Sequence, residues 1–209
     1  MRYNMNYNIP LHPENPDKSN SPKKENTIVS SLHDLVFLIA GVLLVFSLLF
    51  RVVVVSGGSM NDTLVDGDWL FLVGNVLYRE PKQGDIIVAS KDSFEDGAPI
   101  IKRVIATEGQ EVNIIDGVVY VDGQALSEDY ILDPPSVYPY VSVCFPLTVE
   151  EGCVFVMGDN RNNSTDSRSP RIGLIDKREI MGRAVFLIIP GKGNDALKRE
   201  ISRIGVLSE

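Results

Sequence analysis

The chain has 209 residues, of which 44% are hydrophobic, and a formal net charge of −8 at pH 7. This length suits one domain of ordinary size with an appendage. The acidic balance argues against a nucleic-acid partner, and no basic run extends beyond Lys23 and Lys24. The two cysteines and two histidines show no zinc-type spacing, so no metal site is predicted.

The N-terminal part predicts a tail followed by a membrane anchor. Residues 1–31 begin with an Asn-, Pro- and Ser-rich stretch that cannot bury a core, and we interpret them as a disordered tail. Residues 35–50 carry no charge, and as a helix they span about 24 Å, a little less than the ~30 Å hydrocarbon core. Leu32 and residues 52–55 can lengthen this helix if Arg51 snorkels, so the predicted anchor covers residues 32–52. A cleaved signal peptide or a buried core helix are the alternatives, but no Ala-x-Ala site follows.

The charges beside the anchor predict its orientation. Lys18, Lys23 and Lys24 precede it, whereas only Arg51 follows it directly. Positive charge accumulates on the cytoplasmic side of single-pass proteins. We therefore expect a cytoplasmic N-terminus and an extracytoplasmic domain at residues 53–209.

The stretch at residues 52–64 reads Val-Val-Val-Val-Ser-Gly-Gly-Ser-Met-Asn-Asp-Thr-Leu. The valines favour a strand, and the glycine pair permits a sharp turn that presents Ser59. A serine held there beside backbone N–H groups is a candidate nucleophile. The alternative is a flexible Ser/Gly linker that follows the anchor.

The rest of the chain has the pattern of a β domain. Short apolar runs alternate with turn signals such as Asp116-Gly117 and Asp122-Gly123. The runs cover residues 69–73, 85–89, 100–106, 111–115, 118–121, 154–157 and 184–189. Seven or more strands with tight turns predict a closed or sandwiched antiparallel domain. Only residues 195–203 have the pattern of a further helix.

The histidines restrict the chemistry that Ser59 can use. His12 and His33 lie before or within the anchor, so neither a Ser-His-Asp triad nor a Cys-His pair can form in the domain. A Ser-Lys dyad remains, because a desolvated lysine can deprotonate and then accept a proton. Lys102, in an apolar strand beside Arg103, is the candidate base; an edge-strand lysine that hinders aggregation is the alternative.

A polar loop at residues 158–168 reads Gly-Asp-Asn-Arg-Asn-Asn-Ser-Thr-Asp-Ser-Arg and follows a strongly apolar strand. Such a loop is either a solvated turn or a rigid, internally bonded support for a site. With Ser-Gly-Gly-Ser-Met at 56–60, Gly-Asp-Ile-Ile-Val at 84–88 and Lys-Arg-Val at 102–104, it resembles bacterial type I signal peptidases. The resemblance extends from the anchor to about Ile189.

The resemblance implies a mostly β fold, with an antiparallel β domain of the type I signal peptidase kind and one N-terminal transmembrane helix. It implies a serine endopeptidase of the bacterial cell membrane that cleaves the signal peptides of exported preproteins and needs no metal or organic cofactor. The short segment between Lys102 and the polar loop suggests a compact form of the domain.

The resemblance also assigns roles to individual residues. Ser59 is the nucleophile, Lys102 is the general base, and Ser164 is expected to hydrogen-bond the lysine amine. Four charged residues are expected to form two ion pairs under the site: Asp159 with Arg103, and Asp166 with Arg168. Five apolar residues are expected to line shallow pockets for small side chains at the first and third positions before the cut: Val55, Met60, Leu64, Ile100 and Ile101. Some of these five could instead be core residues.

Three features differ from the common family pattern or stay open. Asp62 stands where family members usually have proline. Gly57 stands where some members have a hydroxyl that helps the oxyanion hole, so backbone donors remain, chiefly the Ser59 N–H. A disulfide between Cys144 and Cys153 is permitted by an oxidising exterior but is not favoured.

Two other functions were weighed. A self-cleaving regulator uses the same Ser-Lys chemistry, but it needs an upstream Ala-Gly or Cys-Gly bond, and the only upstream Ala-Gly, Ala40-Gly41, lies within the anchor. A catalytically inactive, membrane-tethered β module could bind exported proteins. The presence of Ser59, Lys102 and Ser164 argues against the inactive module.

Overall fold

The computed structural model describes residues 24–61, 63–92, 94, 97–131, 143–192 and 200–207, with side chains from residue 28 onward. Most of the predicted disordered tail therefore lies outside the described residues, as does Asp62. The chain divides into two compact units between Val42 and Leu43.

The N-terminal helix, α1, runs from Lys24 to Leu49. It begins within the predicted tail, which ends at residue 31, and it ends before residue 52, the predicted end of the anchor. Within α1, Ile28–Leu49 is long and apolar enough to cross a membrane, and it is the only such segment in the part of the chain that the structure describes. No residue in the most apolar part of this segment is buried, and a lipid environment suits so large an exposed apolar surface.

The described residues after α1 form twelve strands in two sheets. The strands are β1 (Phe50–Val54), β2 (Trp69–Gly74), β3 (Ile86–Ser90), β4 (Pro99–Thr107), β5 (Glu111–Ile115), β6 (Val118–Val121), β7 (Gln124–Ala125), β8 (Leu147–Thr148), β9 (Cys153–Met157), β10 (Ile175–Asp176), β11 (Ile180–Ile189) and β12 (Gly205–Val206). The first sheet has the order β1-β2-β11-β3-β4-β9-β10, with β12 paired to β11, and the second has the order β7-β6-β5-β8. Every pair is antiparallel, which confirms the predicted fold class.

Strand β1 decides where the anchor ends. Its residues pair with β2 in register, from Phe50 opposite Val73 to Val54 opposite Trp69. Residues 52–54 thus belong to the sheet, as their β-branched side chains favour, and do not lengthen the helix.

Three buried clusters hold the sheets together. One contains Met60 and Leu64, from the segment after β1, packed against Leu70 and Leu72 of β2. Another lies on the β3, β4 and β9 strands and includes Ile100. The third joins the two sheets and consists of Ile105, Ala106, Val112, Val119, Val121, Val149, Phe155 and Met157.

The structure also bears on the predicted C-terminal helix and on the permitted disulfide. Of the predicted helix, residues 195–199 lie outside the described residues, and Ile201–Arg203 form a 3-10 turn. Cys144 and Cys153 are both free, so the permitted disulfide is not formed.

Candidate active site

A tight loop after β1 presents Ser59. Gly57 has a φ of 87°, a conformation that L side chains rarely adopt, so the chain can turn there. The Gly57 N–H donates to Asp66 Oδ1 at 2.8 Å, and the Val55 N–H donates to the Asp68 carbonyl at 2.8 Å. These bonds close the loop around the serine. Gly57 has no side-chain hydroxyl, and its N–H already donates to Asp66. Its role in the site is therefore to permit the conformation of the loop.

A C-terminal arginine fixes the same loop from the other side. Arg203 donates to both carboxylate oxygens of Asp68, at 3.0 and 2.7 Å, and to the Thr63 carbonyl at 3.2 Å. Asp68 is fully buried and also accepts the Gly191 N–H at 2.6 Å. A buried carboxylate with this many hydrogen-bond donors holds the loop firmly.

Lys102 lies against the serine hydroxyl. Its Nζ is 2.7 Å from Ser59 Oγ and 2.9 Å from the Ile101 carbonyl, and only 5% of the residue is exposed. Strand β4 lies between β3 and β9 in the sheet, so the alternative of an edge-strand lysine is wrong. The structure therefore brings the two candidate dyad residues together although 43 positions separate them.

The surroundings of Lys102 favour its neutral form. Burial lowers the pKa of Lys102 from 10.5 to about 8. The carboxylates of Asp166 and Asp159 oppose this shift because they favour the ammonium, whereas Arg168 adds to it because it disfavours the ammonium. At pH 7 roughly one molecule in ten then carries a neutral amine, compared with about one in two thousand for an exposed lysine.

The polar loop forms both expected ion pairs. Arg103 Nε and Nη2 donate to the two oxygens of Asp159 at 2.9 and 2.7 Å. Arg168 Nε and Nη2 donate to those of Asp166 at 2.7 and 2.8 Å. All four residues are buried, and Asp166 also accepts the Gly158 N–H at 3.0 Å. The charged residues of the loop are thus bonded within the protein, whereas residues 162, 163 and 165 are exposed.

The start of this loop also holds the nucleophile's backbone. Asn160 donates through its N–H to the Ser59 carbonyl and through Nδ2 to the Gly58 carbonyl, both at 3.0 Å. Thr63 Oγ1 donates to Asp159 Oδ2 at 2.6 Å. The motif at 158–168 marked the loop as a support, but no local signal named Asn160 or Thr63 as its contacts with the serine segment.

Ser164 departs from its expected role. Its hydroxyl oxygen is buried and has no hydrogen-bond partner among the described residues, so the expected bond to the Lys102 amine is not formed. It lies instead beside Gly158, where an added Cβ would come within 3.0 Å of Ser164 Oγ and of the Ser59 carbonyl. The Ser59 hydroxyl and the Ile101 carbonyl take the place that was predicted for Ser164.

Four of the five predicted pocket residues share one cluster, and the fifth, Ile100, lies in another. Val55, Met60 and Leu64 are 4%, 1% and 0% exposed and pack in the cluster with β2. Ile100 belongs to another cluster. Only Ile101 keeps partial exposure beside the dyad, so the others stabilise the site mainly as core residues.

Comparison with known proteins gives a consistent result. The family model described as signal peptidase, peptidase S26, matches residues 28–189. The signal peptidase I of Bacillus licheniformis is 35% identical over 176 residues, covering 81% of this chain and 93% of that protein. The probable signal peptidase I-1 of Synechocystis is 43% identical over 162 residues, covering 71% of this chain and 79% of that protein.

Signal peptidase I T of Bacillus subtilis is 34% identical over 174 residues, covering 80% of this chain and 89% of that protein. These matches span both the apolar helix and the β domain. The chain belongs to the signal peptidase family, peptidase S26, and is a serine peptidase.

Proposed function

We propose that this chain removes signal peptides from exported preproteins, with Ser59 as the nucleophile and Lys102 as the general base. The observation that supports this most is the 2.7 Å distance between Lys102 Nζ and Ser59 Oγ in a buried setting. The names of its relatives, such as signal peptidase I and probable signal peptidase I-1, agree with this substrate class.

The proposed reaction begins with a neutral Lys102 amine. The amine accepts the Ser59 hydroxyl proton while Oγ attacks the scissile carbonyl carbon. The resulting ammonium gives its proton to the leaving amine, which completes the acyl-enzyme. Water then attacks the ester, and Lys102 accepts and returns a proton in the same way. The Ser59 backbone N–H is the proposed donor to the oxyanion in both steps.

The contacts of Ser59 bear on the alternatives. A catalytically inactive module has no reason to bury a lysine beside a serine, because burial of an amine without a function destabilises the fold. A self-cleaving regulator would need its cleavage bond near the site, and the Ala40-Gly41 pair lies in the apolar helix. A peptidase that acts on other proteins fits better.

We also propose a topology in which α1 crosses the cytoplasmic membrane once. Lys18, Lys23 and Lys24 would remain in the cytoplasm, and the β domain would lie outside, where exported preproteins emerge. The lipid bilayer is then a partner of Ile28–Leu49, which is predominantly apolar and exposed.

Cleavage of a preprotein tests the function. Full-length protein in lipid vesicles should convert a preprotein to its mature form, with the new N-terminus read by mass spectrometry. Ser59→Ala should abolish conversion, since no hydroxyl remains to attack, whereas Ser202→Ala, at an exposed position, should keep wild-type turnover. An active Ser59→Ala protein would show that this serine is not the nucleophile.

Peptides of varied sequence test the proposed pocket at Ile101. The surrounding core is closely packed, so a large side chain has little room beside the dyad. Peptides with Leu or Phe at the first or third position before the cut should be cleaved at least about tenfold more slowly than those with Ala, a difference of about 1.4 kcal/mol in the transition state. Equal kcat/KM values would contradict a size-selective pocket.

A further inference from the structure

Glu128 forms a buried ion pair that joins the second sheet to the polar loop. It follows β7 and receives hydrogen bonds from both terminal nitrogens of Arg161: Nη1 at 2.7 Å from Oε2, and Nη2 to Oε1. The Arg161 side chain is 0% exposed, and that of Glu128 is 6% exposed. An ion pair this deeply buried has to compensate two desolvation penalties, so removal of one partner has large effects.

Tyr130 connects this ion pair to Arg103 on β4, the strand that carries Lys102. Its hydroxyl donates to Glu128 Oε1 at 2.9 Å. The Arg103 guanidinium carbon lies 4.0 Å from the centre of its ring, a cation–π contact. Burial raises the pKa of Tyr130, so the phenol stays neutral and remains a donor. The segment after β7 therefore touches two cations of the site's support, Arg103 and Arg161.

Arg161 transmits the contact to the nucleophile. Its Nε donates to the Gly158 carbonyl at 3.1 Å, and its own carbonyl accepts Arg168 Nη2 at 2.9 Å. Gly158 abuts the Ser59 carbonyl, and Asn160, one residue before Arg161, holds that carbonyl. An unbroken series of contacts thus runs from Glu128 through Arg161 and Gly158 to the backbone of Ser59.

Charge gives the pair a second effect on the site. The buried cations in this support are Arg103, Arg161 and Arg168, and the buried anions are Glu128, Asp159 and Asp166. Their formal charges cancel, and Asp166, Asp159 and Arg168 act directly on Lys102. Arg161 interacts electrostatically with Asp159, one of the carboxylates that favour the Lys102 ammonium. Without the Glu128 charge, the support around Asp159 carries one excess positive charge, which disfavours the ammonium further.

We infer that Glu128 is a positioning residue for the reaction: through Arg161 it fixes the turn at residues 158–160 that holds Ser59, and it balances the charge around the dyad. The inference rests on the proposed function of Ser59 and Lys102. Tyr130 supports Glu128 by occupying one of its oxygens and by covering Arg103.

Glu128→Gln tests the inference, since it keeps the shape and removes the charge. We expect kcat to fall at least about tenfold with KM within about twofold, because the loss falls on the geometry of attack rather than on peptide binding. The rise of kcat with pH should move to lower pH. Glu128→Asp should recover part of the activity. The double variant Glu128→Gln with Arg161→Gln carries no excess charge, so its rise of kcat with pH should return toward the wild-type position.

Glu108→Gln is the matched control. Glu108 also pairs with a cation, Lys177 at 3.1 Å, but its side chain is 45% exposed and lies away from the dyad. Its kcat and pH profile should match the wild type. A Glu128→Gln protein with wild-type kcat would overturn the inference. A protein with lower kcat whose pH dependence matches the wild type would also overturn it, because that is the behaviour of a merely structural residue.

Two further measurements cover the remaining outcomes. If Glu128→Gln fails to fold by circular dichroism, Tyr130→Phe takes its place, and it should lower kcat in the folded protein; wild-type kcat there would overturn the inference. If the wild-type chain cleaves no preprotein, the proposed function fails. NMR titration of the Lys102 amine in the wild type and in Glu128→Gln then still tests whether the Glu128 charge affects the pKa of Lys102. Identical titrations would overturn it.

Discussion

Replacing Lys102 by arginine should reduce turnover as completely as replacing it by alanine, to below about 1% of the wild-type rate. Arginine keeps the positive charge and most of the length, but its guanidinium does not deprotonate at any working pH. Only a group that can become neutral can accept the Ser59 proton. Turnover above a few per cent in Lys102→Arg would mean that the lysine is not the base.

The pH dependence gives a second readout of the same group. Activity needs the neutral amine, so wild-type kcat should rise with pH through the lowered pKa of about 8 and level off above it. The same shift affects stability. The unfolded chain binds a proton to Lys102 up to its usual pKa of 10.5, whereas the folded chain releases it near 8, so this residue destabilises the fold below pH 8 and progressively less between the two values.

Lys102→Met separates these two effects. It fills similar space without a charge, so it should be inactive and yet have a higher Tm than the wild type at pH 7. The difference in Tm should shrink as the pH rises toward 10.5, which thermal scans at several pH values can follow. An equal or lower Tm at pH 7 would show that the amine is not held in a desolvated setting.

Gly158→Ala should inactivate the peptidase although it adds a single methyl group. A Cβ at this position would lie within 3.0 Å of both the Ser59 carbonyl and Ser164 Oγ. The backbone of Gly158 has no positive φ, so alanine has no intrinsic difficulty there. The strain arises from contact with the Ser59 segment and with Ser164. A displacement of Ser59 by about 1 Å lowers the rate by roughly a hundredfold.

The matched control is Gly205→Ala in β12, where an added Cβ meets nothing within 4 Å. It should leave both kcat and Tm close to wild type. Gly158→Ala should also lower stability by about 1–3 kcal/mol, as overpacking does, which denaturant unfolding can measure. If Gly158→Ala keeps wild-type kcat, the nucleophile loop is not held against this turn as tightly as the structure indicates.

Much of the β domain could be predicted because its strands are short apolar runs between turn signals. The runs at 111–115 and 118–121 correspond to β5 and β6 at the same residues. The helix boundaries could not be predicted in this way. Residues 52–54 are apolar enough for either a membrane helix or a strand, and only pairing with β2, which is distant in sequence, decides for the strand.

The sequence pattern made Ser59 and Lys102 candidates: a serine beside glycines, and a lysine in an apolar strand where no histidine is available. Their roles came from the resemblance to type I signal peptidases. The support was harder. Ser164 was given a bond to Lys102, yet its hydroxyl faces Gly158, since the direction of a loop side chain depends on packing that no motif encodes. Glu128 and Tyr130 stand in an ordinary polar stretch, and only the folded chain brings them to Arg161 and Arg103.

The ion pair between Asp68 and Arg203 can form only after residue 203 has been synthesised. Arg203 follows Asp68 by 135 positions, and a ribosome adds residues from the N-terminus onward. A nascent chain therefore contains both Ser59 and Lys102 well before it contains the arginine that balances the buried Asp68 and holds the Thr63 carbonyl. The contacts of Arg203 with the loop that carries the nucleophile therefore form only when the later segment has been made and has docked. Asp68 therefore gains its arginine partner only after the segments that carry Ser59, Lys102 and the polar loop have been synthesised.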